Sequence, residues 1–275
     1  MNAAFPAMMA ERFMGDHRYI LGMRVDATDY GHAAERITAW GREGASHYVC
    51  VANTHMAMES HDDDAFRRIV NAAGLVTPDG MPIVWGLRLL GVKGASRVYG
   101  PDLALSVMEA AAGEGLEIGF YGGGPGTLAR LKIVMPERYP GLKIAYAESP
   151  PFRPLTPAED AEAVDRINAS GTRVLLVGLG CPKQEQWMAE HLGRVRAVMV
   201  GVGAAFDFLS GVKPQAPRWM MGAGLEWVFR LADEPGRLWR RYLWNNPRFV
   251  ALFAMQLLGL RNRKEPPAVE NRRRD

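Results

Sequence analysis

The sequence predicts an α/β protein built on a mostly parallel sheet with helices on both faces, followed by a helical appendage rich in basic and aromatic residues. Three observations predict it. Short apolar runs alternate with helical patterns as far as Pro214. Several of these runs, VLLVGL and AVMVGV among them, are apolar at every position, as strands buried on both faces are. Beyond them the character changes. Residues 218–275 carry 12 Lys+Arg against 6 Asp+Glu, a net charge of +6 in a chain whose total is only +3. A neutral-to-acidic body therefore ends in a basic, aromatic tail of the kind that meets phosphate, whether on lipid, substrate or nucleic acid.

Taken in order, residues 19–25 read as a strand, 26–30 as a turn and 31–42 as a helix. A second strand at 48–52 breaks into Asn53-Thr54-His55, and helical patterns cover 56–73. The polar turn Thr77-Pro78-Asp79-Gly80 leads into a helix ending near Leu90. Strands follow at 116–121, 143–147, 174–178 and 197–200, separated by helices at 127–138, 157–169 and 183–191. The expected organisation is a flexible N-terminus over 1–16, an α/β core over 17–216, an appendage over 217–260 and a disordered basic tail over 261–275.

A chain of 275 residues has room for one large α/β domain and such an appendage. Cys50 and Cys181 stand far apart in apolar strand-like surroundings and read as reduced thiols. No apolar run approaches the ~18 residues that span a bilayer, and the longest, residues 249–260, contains Gln256. The N-terminal residues are too polar for a signal peptide. The expected location is the cytoplasm, with peripheral membrane contact at most.

Two glycine-rich junctions between strand and helix mark candidate ligand loops. In GFYGGGPGT, Gly122, Gly123 and Gly124 precede a helix start, where backbone N–H groups favour phosphate. One rival reading is a nicotinamide-dependent oxidoreductase with Glu148 on the ribose. The junction lacks G-x-G-x-x-G spacing, however, and about a hundred residues precede it. In VGLGCPKQEQW, Gly180 is followed by Lys183, Gln184 and Glu185 on a first helical turn at the carboxyl end of a strand. Side chains there point into the ligand crevice of a parallel sheet.

Asp79 is the candidate general base, although a turn aspartate also serves as a helix cap. Asn53 ends the second strand, and Arg97 is placed to hold either a phosphate or the Asp79 carboxylate. Asp62-Asp63-Asp64 offers a D-x-D pattern suited to a nucleotide-bound cation, but its place before a helix favours capping, and no metal is expected there. A second rival, binding to single-stranded nucleic acid through the basic and aromatic tail, has no recognised motif to support it.

The blocks VANTHMA, TPDGMPIVW, SRVYGPDL, GFYGGGPGT, VGLGCPKQEQW, GVGAAFDFLSGVKPQAPRWM and LEWVFRLADEPGRLWRRY, in this order, resemble the WecG/TagA/CpsF family of bacterial glycosyltransferases from about residue 19 to 249. The resemblance implies a Rossmann-like fold and an inverting, metal-independent transfer. The sugar would pass from a UDP-sugar to a polyprenyl-diphosphate-linked sugar at the inner face of the cytoplasmic membrane. It implies Asp79 as base, with Asn53, Arg97 and Gln184 beside it. Arg230, Arg237 and Arg240 would reach the diphosphates, and their spacing of seven and three places them on one helical face. Gly122, Gly123, Gly124, Gly180, Lys183 and Glu185 complete the expected binding set. N-acetylmannosamine, its uronic acid and glucose are the sugars transferred by similar enzymes. Val51, where many members have threonine, inclines the reading toward glucose in exopolysaccharide assembly. The expected partners are the two substrates and an anionic membrane surface, and self-association into a homo-oligomer is a further way to cover an apolar tail. No cofactor is implied.

Overall fold

The computed structural model describes residues 16–260, so the terminal segments expected to be flexible lie largely outside the described residues. Two strands, β1 (His17–Ile20) and β2 (Met23–Asp26), form an antiparallel hairpin. The sequence reading made this one strand. The correction lies at Leu21 and Gly22, both left-handed at φ 54° and 87°, which turns the chain tightly between the strands.

The remaining elements form the body. They are α1 (Tyr30–Glu43), β3 (His47–Ala52), α2 (Thr54–Asp62), α3 (Asp64–Ala72), β4 (Leu75–Pro78), α4 (Met81–Leu89) and α5 (Gly100–Glu114), then β5 (Glu117–Gly122), α6 (Pro125–Arg138), β6 (Lys143–Glu148), α7 (Pro157–Ala169), β7 (Val174–Gly178), α8 (Lys183–Glu190), β8 (Val198–Gly201) and α9 (Ala205–Leu209). Six of the strands make one parallel sheet in the order β4-β3-β8-β7-β5-β6. The expected mostly parallel, Rossmann-like sheet is therefore present.

Strand alternation divides the core into two layers. Val49, Val174, Leu176, Val198 and Val200 face α1, α5 and α6. Tyr48, Cys50, Leu175, Val177 and Met199 face α2, α3, α7 and α8. The helical patterns over 56–73 form two helices that meet at Asp63, whose carboxylate accepts from Ala65 N at 2.7 Å and Phe66 N at 3.2 Å, the capping expected of the aspartates there. Two expectations change. Thr77 and Pro78, expected in the turn, are instead the last two residues of the edge strand β4. Pro78 is tolerated there as the last residue. Helix α5 was missed because its Gly100-Pro101 start resembles a loop. Proline suits a first helical turn, where no N–H is required.

The appendage comprises α10 (Arg218–Gly222), α11 (Glu226–Asp233) and α12 (Pro235–Leu257). It is docked on the body. Phe249 and Phe253 are buried in the α2 and α4 layer, worth about 2 kcal/mol each in removed apolar surface. Gln256, the polar residue inside the apolar run, donates to Tyr19 O at 2.7 Å and accepts from Leu21 N at 2.8 Å. It thus satisfies the backbone of the hairpin turn. Arg248 makes a two-pronged ion pair with Asp62 at 2.8 and 2.9 Å.

At the carboxyl edge, β5 and β7 approach closely because Gly122 has no side chain. A Cβ there would stand 2.6 Å from the Gly178 backbone, and its φ is 107°. Substitution Gly122→Ala is expected to lower the unfolding free energy by more than about 2 kcal/mol, read as a fall in the urea midpoint. The open Gly126→Ala position, where nothing lies near an added Cβ, should show no comparable loss.

Candidate active site

A cavity of about 440 Å³ opens over the carboxyl ends of β4, β3, β8 and β7, with α10 to α12 forming its far wall. This is where an open parallel sheet places ligands. The topology explains the choice of residues. Asn53 is the first residue past β3, Asp79 the first past β4, and the turns after β7 and β8 supply Gly180 and Gly203.

Asp79 lies at the floor, held by Arg97. The Arg97 Nη2 group donates to Asp79 Oδ1 at 3.0 Å and to Glu226 Oε2 of α11 at 2.5 Å. Nε donates to Oδ1 at 3.3 Å and also to the Asp79 main-chain oxygen. The guanidinium stacks 4.3 Å from the Tyr99 ring centroid. Burial pushes the Asp79 carboxyl up to about 6, against the lowering influence of Arg97, and Glu226 adds to the rise. Such a group is ionised at neutral pH yet basic enough to take a proton. Of the two roles open to Arg97 in the sequence, the structure shows the carboxylate partner.

Asn53 lines the cavity and caps α2, accepting from Met56 N at 3.1 Å. Gln184 also lines the cavity, but its amide is engaged. Its Oε1 accepts from Gly180 N at 3.2 Å and Gly203 N at 3.1 Å, tying two cavity turns together. Its Nε2 donates to Glu185 Oε1 at 2.7 Å. Glu185 was expected in the binding set and is instead fully buried behind Gln184. A helix turn that starts at the crevice directs successive side chains 100° apart, so only one of Lys183, Gln184 and Glu185 faces it. Lys183 is exposed and away from the cavity. Gly122, Gly123 and Gly124 likewise do not line it. Their turn packs on Gly178, with Gly123 N donating to Gly178 O at 3.2 Å. Gly180 does line it, with φ 81°.

Arg230 of α11 and Arg237 of α12 line the cavity, whereas Arg240 does not and packs on the Trp239 ring at 5.2 Å. The spacing argument assumed one continuous helix. The chain breaks at Glu234, and within α12 the residue one turn beyond Arg237 is Arg241, which does line the cavity. The guanidinium of Arg230 lies over Phe208 at 5.7 Å. His55, on the first turn of α2, also lines it. Burial, assisted by Arg241, lowers its imidazole to about 4, which keeps it neutral. Glu59 lies 3.6 Å from its Nδ1, too weak an influence to reverse that. His55, Arg241 and Glu226 were missed in the sequence. The signals available were, for His55, a polar residue three past a strand end and, for Arg241, the i+4 partner of an arginine.

The D-x-D pattern has no role at the cavity. Asp62 pairs with Arg248, Asp63 caps α3, and Asp64 pairs with Arg67 at 2.7 Å. Among the described residues, no group of His, Cys, Asp and Glu is arranged to hold a metal ion. Glu148, the acid of the dinucleotide rival, is taken by Arg166 at 2.8 and 2.9 Å and by the Tyr146 hydroxyl at 2.6 Å. Among the described residues, no helix is long and apolar enough to cross a membrane.

A half-buried carboxylate and three arginines thus share one cleft of a parallel sheet, a set of groups suited to an anionic substrate. The chain belongs to the glycosyl transferase WecG/TagA/CpsF family, whose profile it matches over residues 18–263. It is 30% identical over 205 residues to the N-acetylglucosaminyldiphosphoundecaprenol N-acetyl-beta-D-mannosaminyltransferase of Bacillus spizizenii, covering 74% of this chain and 77% of that protein.

Glu185 gives this site a measurable signature. Burial raises its carboxyl to about 7, above the unfolded value. The folded state therefore holds a proton that the unfolded state releases, and stability falls as pH rises from about 4.5 to 7. Glu185→Gln, which keeps the oxygen that Gln184 uses, is expected to remove about 2–3 kcal/mol of that fall. Urea unfolding at pH 5 and pH 8 checks it.

Proposed function

We propose that this glycosyltransferase moves N-acetylmannosamine from a UDP-sugar to N-acetylglucosamine carried on a polyprenyl diphosphate. The observation that carries the reading is the Asp79 carboxylate, raised in basicity and facing Arg230, Arg237 and Arg241 across one cavity. Asp79 takes the proton of the acceptor hydroxyl as it attacks the anomeric carbon. The UDP leaving group departs on the opposite face, inverting the configuration. The charge that develops on the diphosphate is met by the arginines, each a strong donor to phosphate. Neutral His55 and Asn53 supply hydrogen bonds to the sugar hydroxyls. Gln184 acts by fixing the two glycine turns that border the donor. The choice of sugar follows the Bacillus relative, a mannosaminyltransferase, in place of the glucose to which Val51 inclined the sequence reading. Nothing in the proposed step calls on a metal ion or cofactor.

The outer face of the appendage supports work at a membrane. Trp219, Leu243 and Trp244 are each more than 60% exposed, beside Arg218 and Arg240. Apolar and aromatic side chains interleaved with arginine suit the interface of an anionic bilayer, which brings the cavity to its lipid-linked acceptor. Placement on the inner face of the bacterial membrane is part of this proposal.

Transfer is tested with a synthetic polyprenyl-diphosphate acceptor and a panel of UDP-sugars that includes glucose, with and without EDTA. Asp79→Asn should cost at least about a hundredfold in kcat while the protein keeps its fold. Undiminished transfer in that variant removes Asp79 as base, and a preferred donor other than UDP-N-acetylmannosamine corrects the sugar. In flotation with vesicles of anionic and of neutral lipid, the paired change Trp219→Ser and Trp244→Ser should weaken binding to anionic vesicles. No difference from wild type would remove this face as the contact.

A further inference from the structure

The ion triad is asymmetric. Both contacts of Arg97 with the Asp79 side chain fall on Oδ1, at 3.3 Å from Nε and 3.0 Å from Nη2. The rest of its reach goes to the Asp79 main-chain oxygen and to Glu226 Oε2. A guanidinium with a single carboxylate partner tends to grip both oxygens in a parallel fork. Here the fork is divided between two carboxylates, both less than one-sixth exposed. The second carboxylate comes from α11, outside the body that carries Asp79 and Arg97.

We propose that Glu226 is a positioning residue: with α11 docked, it shares Arg97 Nη2 with Asp79 Oδ1, keeps the guanidinium from turning onto Asp79 Oδ2 and leaves that oxygen available to the acceptor hydroxyl. This rests on the reading of Asp79 as base and deepens it. Without Glu226 the guanidinium closes on both Asp79 oxygens, and the base becomes weaker and less accessible.

The groups that face Asp79 settle the direction of the effect. Arg97 and Tyr99 approach from the segment leading into α5, Arg230 and Glu226 from α11, and Tyr30 from α1 with Asp102 beyond it. Burial raises the Asp79 carboxyl, Arg97 and Arg230 lower it, and Glu226 is the carboxylate in contact with Arg97 that raises it. Neutralising Glu226 leaves the arginines unopposed, so Asp79 loses its proton at lower pH.

The test uses the full chain with 13C-labelled aspartate. The Asp79 carboxyl resonance is assigned by its loss in Asp79→Asn and titrated in wild type, Glu226→Gln and Glu226→Asp, and sugar transfer is measured across the same pH range. In Glu226→Gln the carboxyl midpoint and the acidic limb of kcat are expected to move down together by about one pH unit. The plateau kcat should fall about tenfold, with a smaller change in the donor KM. Glu226→Asp, which keeps the charge, should restore most of both. A folded glutamine variant with an unmoved midpoint overturns the proposal and reduces Glu226 to a docking contact. Glu226→Met, of similar length and uncharged, carries the same expectation if the glutamine variant does not fold. The titration needs no turnover. A shifted midpoint alongside full transfer by Asp79→Asn therefore supports the coupling while removing the base assignment.

Discussion

One half-buried arginine holds the site together. Arg97 pairs with Asp79 and Glu226 at once, in a region where an unpaired carboxylate is costly enough to change its protonation instead. Its two partners come from distant parts of the chain, the end of β4 and the start of α11. The triad therefore exists only when the appendage lies on the body. The other docking contacts keep it there. Phe249 and Phe253 supply apolar burial, Gln256 closes the hairpin backbone, and Arg248 anchors α12 to Asp62. The exposed Arg248 pair contributes little energy of its own, at most about 1 kcal/mol. It does fix the rotation of α12, which decides which arginines meet the cavity.

The parallel sheet was legible because VLLVGL and AVMVGV are short, valine-rich, apolar at every position and bounded by glycine, as strands buried on both faces are, and the alternating helices then impose parallel order. The hairpin and α5 were not legible for a local reason. Each depends on a backbone conformation, positive φ at Leu21 and proline at a first helical turn, that leaves no mark in hydrophobic periodicity. The candidate site was legible where strand ends could be located, which placed Asn53 and Asp79. Its arginines were only partly so. Counting spacings through the break at Glu234 chose Arg240, when the helix beyond the break presents Arg237 and Arg241.

The glycine turns carry a similar lesson. Glycine next to a helix start suggested phosphate, yet Gly122 serves the close approach of two strands and Gly123 a backbone bond between their turns. The PKQE turn was read as three side chains aimed at a ligand, whereas a helical turn can aim only one. Gln184 takes that direction and spends its amide on Gly180, Gly203 and Glu185. The polar character of the motif thus shapes the cavity rather than filling it. Burial raises the Glu185 carboxyl behind the cavity wall, which lessens the negative charge it sets behind the arginines in front.

The same helix must then satisfy two environments. Along α12, Arg237, Arg241, Asn245 and Phe249 follow at intervals of four and turn toward the cavity and core, while Trp239 and Leu243 face outward. A helix dedicated to the cavity alone would carry polar residues on its outer face, because exposed tryptophan gains nothing in water. A helix dedicated to a membrane alone would not turn arginines inward, away from lipid phosphate. Both demands on one element follow from a substrate with a phosphorylated head and a lipid tail, for which the boundary between cavity and bilayer is a single helix wide.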